Sequence, residues 1–374
     1  MKAVLHLTQA CNLRCTYCYA PDKQVKKAMS LTTAKKAIDL VTGLGNGSAC
    51  VSYFGGEPLL VWDTIETLTR HGREVGARLG KTMHFRLSTN GTLFDERKLR
   101  FCRENNMLFA ISLDGDKEAH DAQRILPNGK GSFDLLDSKL DMILELCPHT
   151  VFTSVITPQS AARLSSSIEY MWGRGIRYMV HQLDYTHPDW DPDSLAVLEE
   201  SYRQMAAFYL DKVRAGERFH LSVFDDKLKT HADSPIALGA ICDFGSKKIS
   251  VAPDGRLFPC VQFVSDREDA AAYCIGDVET GFYPRRDELV RLNRQERRQC
   301  DGCALLGRCS NYCGCMNWQV TGEITEVPGI LCAHEQMLIP IADEVGNVLW
   351  DEKNAHFLQK HYKHFDSHFA YRFD

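Results

Sequence analysis

The feature that most constrains this chain is an eight-residue run near its start, Cys11-Asn12-Leu13-Arg14-Cys15-Thr16-Tyr17-Cys18. Its three cysteines are spaced C-x₃-C-x₂-C, directly after the apolar stretch Val4-Leu5-His6-Leu7-Thr8. Thiolates are the ligands of iron–sulfur clusters, and one short loop brings three sulfurs to one side of a cluster while leaving a fourth iron without a protein ligand. An open iron is a place for chemistry. Zinc also takes closely spaced cysteines, so half of a zinc knuckle is the competing reading of these eight residues.

The chain that follows alternates short β-rich runs with helical periodicity. Strands are expected at Ala3–Thr8, Ala49–Phe54, His84–Ser88, Met107–Leu113, Thr150–Ile156 and Arg177–Leu183. Helices are expected at Thr32–Thr42, Trp62–Leu79, Asp95–Asn105, Ser132–Leu146, Ser160–Gly173 and Pro192–Arg214. Strands alternating with helices make parallel strands with right-handed crossovers. Six units are fewer than the eight of a closed barrel; the fold class is α/β, with a site expected at the C-terminal strand ends. From Ala215 the pattern weakens, and a cysteine-rich unit with a β-hairpin at Pro253-Asp254-Gly255 follows. The expected division is a barrel over 1–214, a bridge over 215–241, the cysteine-rich unit over 242–335 and a C-terminal helix or tail over 336–374.

Composition excludes several classes. With 374 residues, 44% of them hydrophobic, the chain can bury a large core. No apolar run approaches the roughly 18 residues of a membrane helix, and Val4–Leu7 is too short for a signal segment, so a cytoplasmic protein is expected. The formal charge of −5 gives no case for nucleic acid. Fifteen cysteines, clustered near residue 300, argue in a chain of this length for metal ligation over cross-links.

The Cys11–Cys18 loop resembles the signature of the radical S-adenosylmethionine (radical SAM) enzymes, and the resemblance implies that the six units form an open six-unit (β/α)₆ partial TIM-type barrel. In that family the open iron chelates the methionine end of the cofactor, and one electron from the [4Fe–4S] cluster releases a 5′-deoxyadenosyl radical. The resemblance implies that Cys11, Cys15 and Cys18 hold the cluster and that Tyr17 packs near the adenine. Gly55-Gly56-Glu57-Pro58, at the end of the second strand, corresponds to the stretch that binds the methionine amino group. Read by itself, it is a turn in which two residues without Cβ allow close backbone approach. Asn90 in Ser88-Thr89-Asn90-Gly91, and Ser112 in Ser112-Leu113-Asp114-Gly115, correspond to cofactor contacts. Arg124 is the candidate for the cofactor carboxylate, since Arg binds carboxylates bidentately; Asx turns and helix caps are the bland reading of these polar residues. Gln182, Asp184 and Tyr185, at the sixth strand end, are further candidates for substrate contact.

The second array is Cys242-x₁₂-Gly255-x₄-Cys260, then Cys300-x₂-Cys303-x₅-Cys309-x₃-Cys313, then Cys332. A C-x₂-C pair first suggests a zinc ribbon. The whole array is similar to the SPASM domain of radical peptide and protein maturases, which carries two auxiliary [4Fe–4S] clusters, three clusters in all. That resemblance assigns Cys300, Cys303, Cys309 and Cys332 to one cluster and Cys242, Cys260 and Cys313 to the other. The fourth position of the latter falls to Cys274, to Cys315 or to an open iron; Cys274 is preferred, because Cys315 is only two residues from Cys313. Cys50, Cys102 and Cys147 read as buried apolar residues.

The resemblance implies a maturase that abstracts hydrogen from a ribosomally made precursor peptide or a protein substrate and forms a thioether, a carbon–carbon cross-link or another oxidised product. A sulfatase maturase is the alternative; that subgroup carries Asp directly after the second auxiliary cysteine, where this chain has Val261. A non-catalytic electron carrier or a zinc scaffold is the alternative of another class. Expected partners are a flavodoxin- or ferredoxin-type electron donor and, since residue 11 is already a cluster ligand, a separate leader-binding protein. The six arginines between Arg285 and Arg298, and His361, His364 and His368 at helical spacing, read as surface features.

Overall fold

A computed structural model of the chain describes residues 1–20, 27–232, 242–265 and 267–362. Strands β1 (Lys2–Thr8), β2 (Ser48–Gly55), β3 (Thr82–Thr89), β4 (Leu108–Ser112), β5 (Val151–Ile156) and β6 (Tyr178–Leu183) each pair in parallel with the next. They are connected and followed by helices α1 (Leu31–Leu44), α2 (Trp62–Leu79), α3 (Glu96–Glu104), α4 (Lys117–Asp121), α5 (Phe133–Leu146), α6 (Leu164–Gly173) and α7 (Pro192–Arg214). Short polar side chains set the helix starts. Ser30, Asp95 and Asp116 each accept a hydrogen bond from a backbone N–H of the first turn, and Asp191 forms a capping box with Ser194 ahead of Pro192. The six β/α units expected from the sequence are present.

Two features extend them. The segment after residue 215, expected as a bridge, begins with a seventh parallel strand, β7 (His220–Leu221), and a helix, α8 (Ser222–Ala232). Two residues are too few to show a period of two. At the opposite edge, β8 (Lys248–Val251) pairs in parallel with β1, from Lys2 opposite Lys248 to Leu5 opposite Val251. The expected hairpin joins β8 to β9 (Arg256–Phe258), with Gly255 at φ +96°, and β10 (Gly276–Asp277) and β11 (Gly281–Phe282) continue as an antiparallel meander. One sheet of eleven strands therefore runs across the expected boundary at residue 242, in the order β11-β10-β9-β8-β1-β2-β3-β4-β5-β6-β7. Helices α9 (Arg285–Asn293), α10 (Gly314–Thr321), α11 (Gly329–Asp351) and α12 (Ala355–His361) complete the described chain. None of the helices among the described residues is long and apolar enough to cross a membrane.

The register gives the sheet two unlike faces. Leu5, Tyr53, Leu87, Phe109, Ile111 and Phe152 share one face and are all buried in the main core. Ser52, Phe54, Arg86, Ser88, Ala110, Ser112, Thr153, Val155 and Val180 share the other face, and each is only half-buried. An α/β sheet covered by helices on both faces would bury both sets. Here one face packs against helices, and the other carries polar side chains, Ser52, Arg86, Ser88, Ser112 and Thr153, at half-buried positions.

The C-terminal helices are tied to the barrel by a buried carboxylate. Asp225 on α8 accepts from Tyr209 Oη (2.6 Å) on α7 and from Leu221 N (2.7 Å), and it pairs with Lys360 Nζ (2.6 Å) and His361 Nε2 (3.3 Å) on α12. His361 is thus part of an ion pair; His364 and His368 lie outside the described residues. Although burial opposes its charge, Lys360, His361 and His220 hold the Asp225 carboxyl well below the usual carboxylate range. Its contribution is therefore present above the ordinary Asp value of 3.8 and is lost as pH falls through the lower folded value. Asp225→Asn leaves Lys360 without its counter-charge and should cost about 3 kcal/mol in denaturant unfolding at neutral pH. The difference from wild type should shrink in acid.

Candidate active site

The cysteine loop leaves β1 and is held to the neighbouring strand ends by backbone contacts. Arg14 N donates to Ile125 O (2.7 Å) and Thr16 N to Gln123 O (3.0 Å), while Leu13 is buried beneath the loop. On the other side the Gly-Gly-Glu-Pro turn closes on the same segment: Gly56 N donates to Thr8 O (2.7 Å) and Glu57 N to Ala10 O (2.8 Å). A Cβ at Gly56 would stand 2.1 Å from Ala10 O, and one at Gly55, whose φ is +130°, 2.3 Å from Thr8 O. The close approach that the two glycines allow is to the chain's own cysteine loop.

Glu57 locks this arrangement. Its Oε1 accepts from Leu59 N (2.9 Å) and Thr89 Oγ1 (2.6 Å), and its Oε2 accepts from Asn90 N (2.8 Å), so both oxygens are engaged within the protein. Burial pushes its carboxyl up to about 6, against the pull of those three donors. Asn90 in turn donates to Asn12 Oδ1 (2.9 Å) and lies 4.0 Å from Cys11 Sγ, while its own Oδ1 accepts from Thr92.

Arg124 is placed differently from a free carboxylate receptor. Its Nε and Nη2 donate to the two oxygens of Asp114 (2.9 and 3.1 Å), and both side chains are buried. Tyr17 Oη donates to the same carboxylate (2.7 Å), the guanidinium lies 5.2 Å from the centre of the Tyr17 ring, and Val155 N donates to Asp114 Oδ1 (3.0 Å). Arg124 Nη1 stands 4.0 Å from Cys15 Sγ. Although burial opposes its charge, Asp114, Tyr17 and Cys15 raise the guanidinium above its ordinary value, so it remains a cation beside the loop. Ser112 ends β4 on the half-buried face.

The second array lies at the same end of the barrel. Tyr19, one residue past Cys18, has Cys260, Cys18 and Cys315 as its electrostatic neighbours. Tyr185, past the end of β6, shares a hydrogen bond with His334 Nδ1 (2.8 Å) and packs against the buried cluster of Cys300, Val327 and Leu331, as Cys332 does; burial, then Glu335, Tyr202, Cys313 and Cys309, raise its phenol well above the ordinary value. Asp184 accepts from Thr186, a local turn, and Gln182 is exposed.

Within the array, burial and then Cys313 and Cys260 push the Cys242 thiol up to about 11. Burial, Cys300, Cys303 and Glu335 raise the Cys332 thiol, and Cys309 has Glu335 and Cys300 as neighbours. Cys274 Sγ instead contacts Gly276 O (3.4 Å), whereas Cys315 Sγ lies 3.6 Å from Cys313 Sγ and also hydrogen-bonds Cys260. Arg286 donates to Gly245 O and Ser246 O, and buried Arg297 to Asn293 O, so two of the six clustered arginines brace the fold.

None of the fifteen cysteines takes part in a disulfide. Among the described residues no three His, Cys, Asp or Glu side chains gather for a single metal ion. A four-iron cluster asks instead for one thiolate per iron, and the cationic Arg124 beside Cys15 and the amide of Asn90 beside Cys11 suit thiolates. The buried His6 Nε2 and Ser250 Oγ have no partner among the described residues, and both belong to the polar face, because Val4 pairs with Ser250 and His6 follows Val4 by two. Burial lowers His6 to about 3, so its imidazole is neutral. These polar atoms fit a bound polar cofactor. Sequence reasoning missed both residues; a His and a Ser at inward positions of otherwise apolar strands was the available signal.

Residues 5–170 match the model of the radical SAM superfamily, and this segment is a radical SAM domain. The protein is a radical SAM enzyme, with a [4Fe–4S] cluster and S-adenosylmethionine as its cofactors. It is similar to a cysteine-type anaerobic sulfatase-maturating enzyme of Clostridium perfringens, 23% identical over 330 residues that cover 82% of this chain and 86% of the relative. The structure resembles native anSMEcpe with bound AdoMet and Cp18Cys peptide, with a TM-score of 0.77 at 19% identity over 93% and 99% of the two chains. It also resembles Streptococcus suis SuiB bound to precursor peptide SuiA, with a TM-score of 0.59 at 15% identity over 88% and 75%. These two likenesses establish the shared fold.

Two outcomes follow from the geometry. Arg124→Ala strands the Asp114 carboxylate in the interior, so it should lower unfolding stability by about 3–5 kcal/mol and loosen the Tyr17 loop, whereas a purely cofactor-binding Arg would change affinity and leave stability intact. The raised Glu57 carboxyl favours the fold fully below its ordinary value of 4.5, and this support is lost as pH rises through about 6. Glu57→Gln should abolish that slope, which amounts to about 2 kcal/mol in paired unfolding curves.

Proposed function

We propose that this enzyme is a maturase that removes hydrogen from a side chain of a peptide or protein substrate, with the second cysteine array holding two auxiliary [4Fe–4S] clusters. The observation that carries the reading is the convergence of the two cysteine arrays at one end of the barrel, where Tyr19 has Cys18, Cys260 and Cys315 as neighbours and Tyr185 packs against the buried cluster that contains Cys300. When bound, the cofactors supply one-electron cleavage of the sulfonium and hydrogen-atom abstraction. The chain's own residues do the rest. Cys11, Cys15 and Cys18 hold the first cluster. The Gly55-Gly56-Glu57 turn and the Asp114–Arg124 pair fix that loop's shape, and the polar face from Ser52 to Val180 receives cofactor and substrate. Asn90 and Ser112 stand at its rim. A reactive centre must be shielded from water, and the proximity of the second array to Tyr19 and Tyr185 supports such shielding.

The order of preference within this class differs from the one drawn from sequence. Several of the relatives matched over most of both chains carry the name of sulfatase-maturating enzymes, both cysteine- and serine-type, which favours oxidation of a Cys or Ser side chain over cross-linking. Cross-linking is the second reading, and Val261 favours it: the residue after Cys260 has no group that can take up a proton. Either reaction asks for an external electron donor, of flavodoxin or ferredoxin type, and a peptide leader would need a binding surface on the barrel or on a partner.

Anaerobic incubation with reductant, cofactor and two peptides decides between them, one peptide spanning a sulfatase active-site cysteine and the other a precursor encoded beside this gene. Loss of two hydrogens together with exchange of sulfur for oxygen is expected in the first peptide; loss of two hydrogens with retained sulfur in the second would establish cross-linking instead. The Cys11/Cys15/Cys18→Ala variant should release no 5′-deoxyadenosine yet keep roughly two thirds of its iron, given three equal clusters. Release at the wild-type rate would overturn the reading.

A further inference from the structure

We infer that Cys315 is the fourth thiolate of the set formed by Cys242, Cys260 and Cys313, so that this auxiliary site closes entirely on the chain's own sulfur. The inference rests on the reading of the second array as cluster-binding. The sulfurs of Cys313 and Cys315 are 3.6 Å apart, and the Cys315 thiol also bonds Cys260. Residues two apart on a regular helix do not face each other. Here Cys313 is the residue before α10, with φ −74° and ψ +79°, outside helical conformation, and Cys315 lies in the first turn. The break in backbone direction lets the two side chains converge.

Both ends of the constellation are fixed by packing. Cys260 leads into a 3₁₀ turn, Val261–Phe263, and Phe263 lies 4.5 Å from the ring of Trp318 on α10, so the backbone that carries Cys260 is stacked against the helix that carries Cys315. Cys315 is 6% exposed, so the inward aim of its thiol is not a surface accident. Cys242 has Cys313 and Cys260 as neighbours. Four sulfurs from three separate segments are therefore neighbours, whereas the thiol of Cys274 is directed to a backbone carbonyl. On loading, iron replaces the proton of Cys315, which leaves to solvent.

A site closed in this way has no iron for a substrate thiolate, so the auxiliary cluster exchanges electrons with the substrate without bonding to it. The test uses the full-length protein, reconstituted anaerobically, and needs no turnover, so a failed product assay and a failed ligand assignment are distinguishable. Cys315→Ala should lose one iron per chain and show the paramagnetic signal of a three-iron cluster after mild oxidation, while Cys274→Ala keeps the wild-type iron and spectrum. Cys315→Ser, which retains an oxygen ligand and covers the case in which the Ala variant does not fold, should keep its iron with a shifted midpoint potential. A wild-type spectrum and potential in the Cys315 variants, loss of iron in Cys274→Ala, or a shift of the wild-type auxiliary spectrum on adding a cysteine-containing peptide would each overturn the assignment.

Discussion

The buried carboxylate of Asp114 is the point on which the first cysteine loop depends. It stands just past the end of β4 and accepts at once from Arg124, from Tyr17 and from the backbone of β5. Removing a carboxylate and a guanidinium from water costs several kcal/mol each, and only complete hydrogen bonding offsets it. The bidentate geometry and the two additional donors meet that condition. In exchange the fold obtains a rigid post between two strand ends, against which Tyr17, and with it the peptide carrying Cys15 and Cys18, is positioned. The cation of Arg124 then stands by Cys15, where a thiolate is required.

Opposite that post, the Gly-Gly-Glu-Pro turn works by shape and not by charge. Its glycines admit the carbonyls of Thr8 and Ala10, and Glu57 reaches across to β3 with both oxygens occupied. The loop is thus clamped from two sides, by an ion pair toward β4 and β5 and by backbone contact toward β2 and β3. The second sheet face carries its half-buried polar positions, Ser52, Ser88, Ser112 and Thr153, on the same four strands that these clamps join.

Much of this was legible in the chain. All six strands and the helices α1, α2, α3, α5, α6 and α7 follow from period and caps, whereas the five-residue α4 is too short to show a helical period; α2 and α7 have the expected bounds, because Trp62 and Pro192 start amphipathic runs closed by Gly80 and by basic residues. The cysteine motifs were legible because ligand spacing is local. What was not legible depends on contacts between distant segments. Nothing in Ala3–Thr8 announces that Lys248–Val251 will pair with it, since a parallel partner need not be near in sequence. Arg124 read as a ligand for a foreign carboxylate, because its own partner, Asp114, looked like a turn residue. Cys315 ranked below Cys274 because spacing alone assumes regular helix, and the non-helical backbone at Cys313 breaks that assumption.

The pairing of β8 with β1 also orders events in time. During synthesis β1 emerges first, yet one of its edges has no partner until residues 248–251 leave the ribosome. A parallel strand with an open edge is a template for wrong partners, and long-range pairing is slow because chain closure precedes its reward. The first cysteine loop, which begins where β1 ends, is therefore attached to the strand whose final lateral support arrives late. Metal insertion on a half-made chain would meet an unfinished floor, and the natural moment for loading the catalytic loop comes after the cysteine-rich third of the polypeptide has been translated.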